Sequence, residues 1–338
     1  MLSVRVQDVE MIVDKIKEFC GNDWKRVGVR MKGSLMSDIS LLNSTNDMIL
    51  SHSGKQLRPM LSLLVAKACS GDSVLPEDSI RVAAAAELLH NATLLHDDVA
   101  DESDVRRGNP TLNSLMGPSV SVLVGDYWLV AAMNEIQAAE HFGPRLISIF
   151  SRTLTHLAEG EMLQLQKARS GDTVEEDYLR IIFSKTASLF EAAALAAAIS
   201  VNAGAEAEEA VRKYAVSLGL AFQIRDDIFD YSDDRGIGKP VGVDIMEQEI
   251  TMPLLGAFRN ASPEEEREVR ARISSIREHP EYGSEIVDFV RSRDGISYAE
   301  KRLGDYIGAA TDAIAGFQKT RSGRYLEEMA HYVAERRI

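Results

Sequence analysis

The stretch IRVAAAAELLHNATLL, residues 80–95, allows few folds. Its apolar residues lie almost all round the helical wheel, and a helix of that kind is buried rather than laid on a surface. Alanine favours helix and lets neighbouring helices approach closely, so other helices must cover this one. They are present: helical periodicity runs through most of the chain, broken by short clusters such as SGDSVLPED from Ser70, RGNPTLNSLMGPS from Arg107, HFGP from His141, RSGD from Arg169, NAGAEAEE from Asn202 and HPEYGS from His279. Nothing between them alternates convincingly as a strand. No low-complexity linker divides the halves, and no repeat of ~20–50 residues is visible. The expectation is an all-α fold of roughly a dozen helices in a single domain over residues 1–338, the helices of about 1–50 packing on the rest.

Composition narrows the function classes. The 338 residues are 45% hydrophobic, enough for a sizeable core, and carry a formal charge of −14. That balance argues against a nucleic-acid backbone as partner, and no basic stripe with interleaved aromatics appears. Cys20 and Cys69 stand far apart without CxxC spacing, so neither a zinc site nor a disulfide framework is expected. No run approaches the ~18 apolar residues of a membrane span. The first residues, MLSVRVQDVEMIVDKIKEF, mix acids with apolar positions like an amphipathic helix rather than a signal peptide. A cytoplasmic location, in a reducing compartment, is the expectation.

The buried stretch runs into LLHDDVADESDVRRG, where four aspartates and a glutamate crowd into eight positions. Carboxylates emerging together from a core repel one another and resist ionisation unless a cation compensates them. On a helix from about Ser79 to Glu102, Asp97 and Asp101 share a face at i, i+4, with His90 two turns earlier on nearly the same stripe and Asp98 partly aside. A second cluster lies far along the chain in LAFQIRDDIFDYSDD, where Asp226 and Asp230 repeat the spacing, Asp227 mirrors Asp98 and Gln223 precedes Asp227 by one turn. Hard oxygen ligands in that pattern suit Mg²⁺, which takes one or two carboxylates and completes its shell with water and substrate phosphates. The ligand brought to such ions carries concentrated negative charge, and diphosphate fits.

Cations to match it are spread along the chain. SGKQLRP supplies Lys55 and Arg58, the first acidic cluster is followed by Arg106 and Arg107, FSKTAS supplies Lys185 and Thr186, and GIGKPVGVD supplies Lys239. Arginine offers forked donors that match phosphate oxygens; lysine offers a mobile point charge. The terminal AERRI holds Arg336 and Arg337, expected as an exposed basic end.

The elements GKQLRP, LLHDDVADESDVRRG, SKTA, FQIRDDIFDY and GKPVGVDIMEQEITMPLL occur in the order of the trans-isoprenyl diphosphate synthases, the polyprenyl synthetase family, which the chain resembles from about Gly54 to Asp244. Ser53 stands where many relatives have a second glycine. The resemblance implies an isoprenoid synthase bundle around a central cavity, and an ionisation, condensation and elimination sequence. Asp97, Asp101 and Asp226 are then expected to hold magnesium, about three ions per site, with Asp98, Asp227 and Asp230 as ligands directly or through water. Arg106, Lys185 and Lys239 complete the cradle for an allylic diphosphate. Thr186 and Gln223 turn oxygen dipoles towards the allylic cation. Isopentenyl diphosphate binds through Lys55, Arg58, His90 and Arg107. A homodimer is a further expectation of the resemblance.

Chain length is read from the residues before the first motif. Relatives with short products often carry aromatics four or five positions ahead of it, whereas this chain has Ala92 and Thr93, with Leu89 and Ala86 deeper. Small residues imply an open tunnel, and the phrase HNATLLHDDVAD is most like octaprenyl-type enzymes. Octaprenyl (C40) is the expected product, within a range from about C30 to C45, with a shorter geranylgeranyl product or a non-catalytic subunit of a heteromeric synthase as alternatives. A terpene cyclase is disfavoured, because DDIFD is intact and the GKxxRP element is present.

Overall fold

Ala83 to Ala86, four alanines in a row, are wholly excluded from solvent, as are Leu88 and Leu89 after them. The helix that carries them is the centre of the first of two units. The computed structural model describes residues 6–52, 54–106, 108–231 and 242–336. In chain order these residues form α1 Val6–Cys20, α2 Asn22–Ser34, α3 Ser40–Ser51, α4 Leu57–Cys69, α5 Glu77–Ala100, α6 Leu112–Met116, α7 Pro118–Gln137, α8 Gly143–Ser170 and α9 Glu175–Ile182. A π-helical segment, Phe183–Ala187, leads directly into α10 Ser188–Ser200. Then follow α11 Ala205–Phe229, α12 Val243–Met246, α13 Met252–Phe258, α14 Pro263–Ser274, α15 Tyr282–Ser292, α16 Gly295–Ala313 and α17 Arg321–Glu335. One two-stranded antiparallel hairpin, β1 Val105–Arg106 with β2 Asn109–Pro110, is the sheet content among the described residues.

The first unit comprises residues 1–151, 192–212 and 316–326. Within it α5 packs against α2, α4 and α7, and α4 is buried along nearly its whole length. Polar groups in this interior are paired. The Trp128 indole donates to Asn46 Oδ1 at 2.8 Å, and Asn46 Nδ2 donates to the Leu35 carbonyl at 2.9 Å. Lys67 forms a buried ion pair with Asp23 at 2.7 Å. Ser121 Oγ donates to the Leu95 carbonyl at 2.8 Å, tying α7 to the turn of α5 just before the first acidic cluster. Buried polar groups are costly unless they are bonded in this way.

The second unit comprises residues 152–191, 213–315 and 327–338. Its core joins Tyr178, Ile182, Ile224, Ile228, Tyr231 and Met252 with residues of α13 to α16. Among the described residues, one stretch, Glu175–Ser200, is long and apolar enough by length and composition to cross a membrane. The sequence breaks it into shorter apolar runs, which the π segment joins into one helix; 78% of its apolar window is buried inside the protein. Both cysteines are chemically quiet. Burial pushes the Cys20 thiol up to about 12 and the Cys69 thiol up to about 11, and both are free.

Candidate active site

The first acidic cluster sits at the end of α5. The helix stops at Ala100, so Asp101 is its C-cap rather than an interior residue, and the Asp101 N–H still bonds the Asp97 carbonyl at 2.8 Å. The Ser103 N–H closes on the Asp98 carbonyl at 3.0 Å, and Glu102 takes a left-handed φ of 50° to make that turn. The β1–β2 hairpin then carries Arg106 back onto the helix, where its Nε meets Asp98 Oδ1 at 2.6 Å. Asp98 is therefore buried, at 4% exposure, while Asp97 is partly exposed and Asp101 exposed. The i, i+4 pair thus faces the more open side, and the middle aspartate is spent on holding the loop.

Elsewhere in this unit, Gln56 adopts a left-handed conformation at the N-cap of α4, so Lys55 lies just before the helix and Arg58 within its first turn, buried. His90 is partly exposed on α5. Ala86, Leu89 and Ala92 are buried; Thr93 is partly exposed and donates to the His90 carbonyl at 2.8 Å. Arg107, Lys239 and Arg337 lie outside the described residues.

The second cluster, on α11 in the other unit, repeats the division of labour. Asp227 is 3% exposed and accepts from the Tyr178 hydroxyl at 2.5 Å and from Gln223 Nε2 at 3.0 Å. Burial pushes its carboxyl up to about 7, against the two hydrogen bonds, with Asp226 and Asp230 adding to the rise. Asp230 accepts the Val243 N–H at 2.9 Å and the Asp244 N–H at 3.2 Å, capping the start of α12. Asp226 is engaged by Arg336, whose Nη2 stands 2.6 Å from Asp226 Oδ1 and also donates to the Phe222 carbonyl at 3.0 Å. The guanidinium lies over the Phe222 ring at 3.8 Å and is 6% exposed. The expectation of an exposed basic end is corrected for Arg336: a carboxylate and two aromatic rings, Phe222 and Phe229, draw the last turn of the chain inward.

Lys185 and Thr186 sit in the π segment, a form that widens the helix by one residue per turn and often marks functional positions. Two flanking helices approach it at glycines. A Cβ on Gly160 of α8 would stand 2.7 Å from Ser184 Cβ, and one on Gly219 of α11 would stand 2.5 Å from Ala187 Cα. One turn beyond each glycine is a glutamine. Lys185 Nζ donates to Gln164 Oε1 at 2.8 Å and pairs with Glu161 Oε1 at 2.8 Å; Thr186 Oγ1 donates to Gln223 Oε1 at 2.8 Å. The Thr186 proton is thereby directed into Gln223, which leaves the hydroxyl lone pairs as acceptors. Gln164 in turn donates to Glu249. Gln164, Glu161, Tyr178 and Glu249 are not among the residues the motifs single out. The repeated spacing of GEMLQ and GLAFQ, a glycine followed four residues later by glutamine, is the signal that points to Gln164.

The donor chemistry suits magnesium. The aspartates of both motifs are hard oxygen donors, the kind an ion takes when it binds one or two carboxylates and fills its shell with water and phosphate oxygens; among the described residues no three His, Cys, Asp or Glu side chains form a cluster. The Arg336 guanidinium, a cation seated on Asp226 at 2.6 Å, shows that this carboxylate attracts positive charge.

Comparison with known proteins agrees. The family model described as polyprenyl synthetase matches residues 39–290. The octaprenyl diphosphate synthase of Escherichia coli (strain K12) is 39% identical over 264 residues, covering 78% of this chain and 80% of that protein. The octaprenyl diphosphate synthase of Haemophilus influenzae is 35% identical over 335 residues, covering 98% of this chain and 99% of that protein. Among solved structures, a polyprenyl synthase from Caulobacter crescentus, complexed with calcium and isoprenyl diphosphate, superimposes with a TM-score of 0.87 at 32% identity, over 96% of this chain and 98% of that one. With the family model spanning well over half its length and both aspartate motifs in place, the chain belongs to the polyprenyl synthetase family.

Proposed function

We propose that this prenyltransferase extends an allylic diphosphate, farnesyl or geranylgeranyl, with isopentenyl diphosphate to an all-trans octaprenyl (C40) diphosphate. The observation that carries the reading is the paired grip on the π segment, which fixes a lysine ammonium and a threonine hydroxyl side by side in the same unit as the second aspartate motif. Octaprenyl synthases among the relatives support the product length. By the resemblance, so does the small residue at position 92, an alanine buried on α5.

In this reading Lys185, Arg106 and Lys239 bind the allylic diphosphate, and Lys55, Arg58, His90 and Arg107 bind isopentenyl diphosphate. Asp97, Asp101 and Asp226, with Asp98, Asp227 and Asp230 in support, would hold magnesium, about three ions, which when bound would supply positive charge against the leaving diphosphate. Thr186 presents oxygen lone pairs to the allylic cation, and Gln223 orients that hydroxyl. The apolar helices keep water from the cation. One catalytic domain, a homodimeric assembly and a cytoplasmic site of action belong to the same proposal.

The test is to incubate the purified protein with Mg²⁺, farnesyl diphosphate and labelled isopentenyl diphosphate, treat the products with phosphatase and measure chain length. Label in C40 polyprenol is the expected outcome. Products ending at C20 would reassign the chain as a geranylgeranyl synthase, and no incorporation beside an active control enzyme would mark a non-catalytic subunit.

A further inference from the structure

The Lys185 ammonium is held from one side by a chain of groups that ends on Glu249, a carboxyl inside the GKPVGVDIMEQEITMPLL element to which the sequence reading assigns no role. Gln164 stands between them: its Oε1 accepts Lys185 Nζ at 2.8 Å and its Nε2 donates to Glu249 Oε1. A glutamine amide has an acceptor at one end and two donors at the other. Only the orientation with oxygen towards Lys185 is attractive, because the opposite one sets N–H groups against an ammonium. An acceptor fixed at the far end selects the attractive orientation. Glu249 is such an acceptor.

Its backbone is well anchored. The Glu249 N–H bonds the Asp244 carbonyl at 2.8 Å, and Gln248, at a left-handed φ of 64°, donates its side-chain amide to the Ser274 carbonyl at 2.9 Å. Ile250 and Met252, just beyond, are buried. On the α8 side, Gly160 brings the helix against Ser184 and Lys185, so Gln164 one turn later reaches both partners.

We propose that Glu249 is a positioning residue for the allylic diphosphate lysine: acting through the Gln164 amide, it fixes where the Lys185 ammonium stands. The proposal rests on the reading of Lys185 as a ligand of the allylic diphosphate. A carboxylate so close to a diphosphate would repel it. Burial pushes Glu249 up to about 8, opposed by Lys185 and assisted by Glu247, Asp227 and Glu161, with Asp244 on α12 a further acidic neighbour. Near neutral pH the carboxyl is largely protonated, and its carbonyl oxygen still accepts from Gln164 without adding negative charge.

Steady-state kinetics of the full chain with both substrates test this. Lys185→Ala is measured first, and a raised KM for the allylic diphosphate establishes the underlying reading on its own. Glu249→Ala is then expected to raise that KM about tenfold, the worth of the Gln164 hydrogen bond to the Lys185 ammonium that Glu249 holds in place, with the KM for isopentenyl diphosphate unchanged. Glu249→Gln, which keeps the carbonyl acceptor, is expected to stay within about twofold of the parent. A merely structural role would move both KM values together. Gln164→Ala is expected to match Glu249→Ala, and the double variant to be no worse than either single one. If Lys185→Ala raises the allylic KM and neither Glu249→Ala nor Gln164→Ala does, or if their effects simply add, the proposal is overturned. Should Glu249→Ala fail to fold, Gln164→Ala on the partly exposed face of α8 makes the same test, with the same two outcomes.

Discussion

Each DDxxD motif divides its aspartates by depth. Asp98 and Asp227 are buried and bonded, to Arg106 in one case and to Tyr178 and Gln223 in the other. Their neighbours Asp97, Asp101 and Asp226 lie nearer the surface. Substituting the outer residues should therefore remove turnover and spare the fold. Asp97→Ala and Asp226→Ala are expected to lose at least ~100-fold in kcat, the scale on which removing one stabiliser of developing charge acts, with unchanged circular dichroism; near-native rates in both would refute their metal role. Tyr178→Phe is the converse case. It takes a donor from a buried carboxyl and is expected to lower the free energy of unfolding by about 1–3 kcal/mol in a urea titration. Spacing along one helix makes the aspartates readable, because i, i+4 geometry is local. Tyr178 lies 49 residues from Asp227 and Arg336 lies 110 from Asp226, and nothing local in the sequence announces such partners.

At the scale of elements, the π segment is the part that the sequence locates without resolving. SKTA is legible as a motif, yet an extra residue in a helical turn leaves no periodic signature in five residues. The glycines that admit α8 and α11 to it mark Gln164 and Gln223 by their spacing but do not by themselves announce a close approach, since a glycine inside a helix has several uses. Their role is testable. Gly219→Ala would place a methyl 2.5 Å from Ala187 Cα, contact with backbone that cannot swing aside, and is expected to destabilise by about 1–3 kcal/mol. Because α11 also carries Gln223 and Asp226, turnover should fall further than the loss of folded protein explains, as measured by kcat per folded molecule. The last turn of the chain is a second element with a visible job. Arg336 occupies an oxygen of Asp226, so Arg336→Ala is expected to lower the Mg²⁺ concentration for half-maximal binding several-fold in a calorimetric titration. An unchanged or weaker affinity would mean that the arginine and the ion do not compete.

For the whole molecule, fold class is legible in the sequence and the inventory of partners is not. The alanine-rich, all-round apolar stretch at 80–95 requires a helical surround, and α2, α4 and α7 supply it. Charge at this scale sets a pH dependence. Glu249 titrates at about 8 in the folded chain against 4.5 for an ordinary glutamate, so between those values the folded state binds more protons than the unfolded one. Its contribution to stability is complete below about pH 4.5 and is lost as pH rises through about 8. The melting temperature of the metal-free protein should fall from pH 6 to pH 9, and Glu249→Gln should flatten that slope.

Catalysis as proposed turns on carboxylates from both aspartate motifs binding magnesium together with an allylic diphosphate. Isothermal calorimetry with a non-ionisable allylic diphosphate analogue, run with and without Mg²⁺ on the parent, Asp97→Ala and Asp226→Ala, measures this directly. The expected result is tight binding only with Mg²⁺, weakened at least ~10-fold, about 1.4 kcal/mol, in each variant. Equal affinity with and without the metal, or in all three proteins, would contradict it.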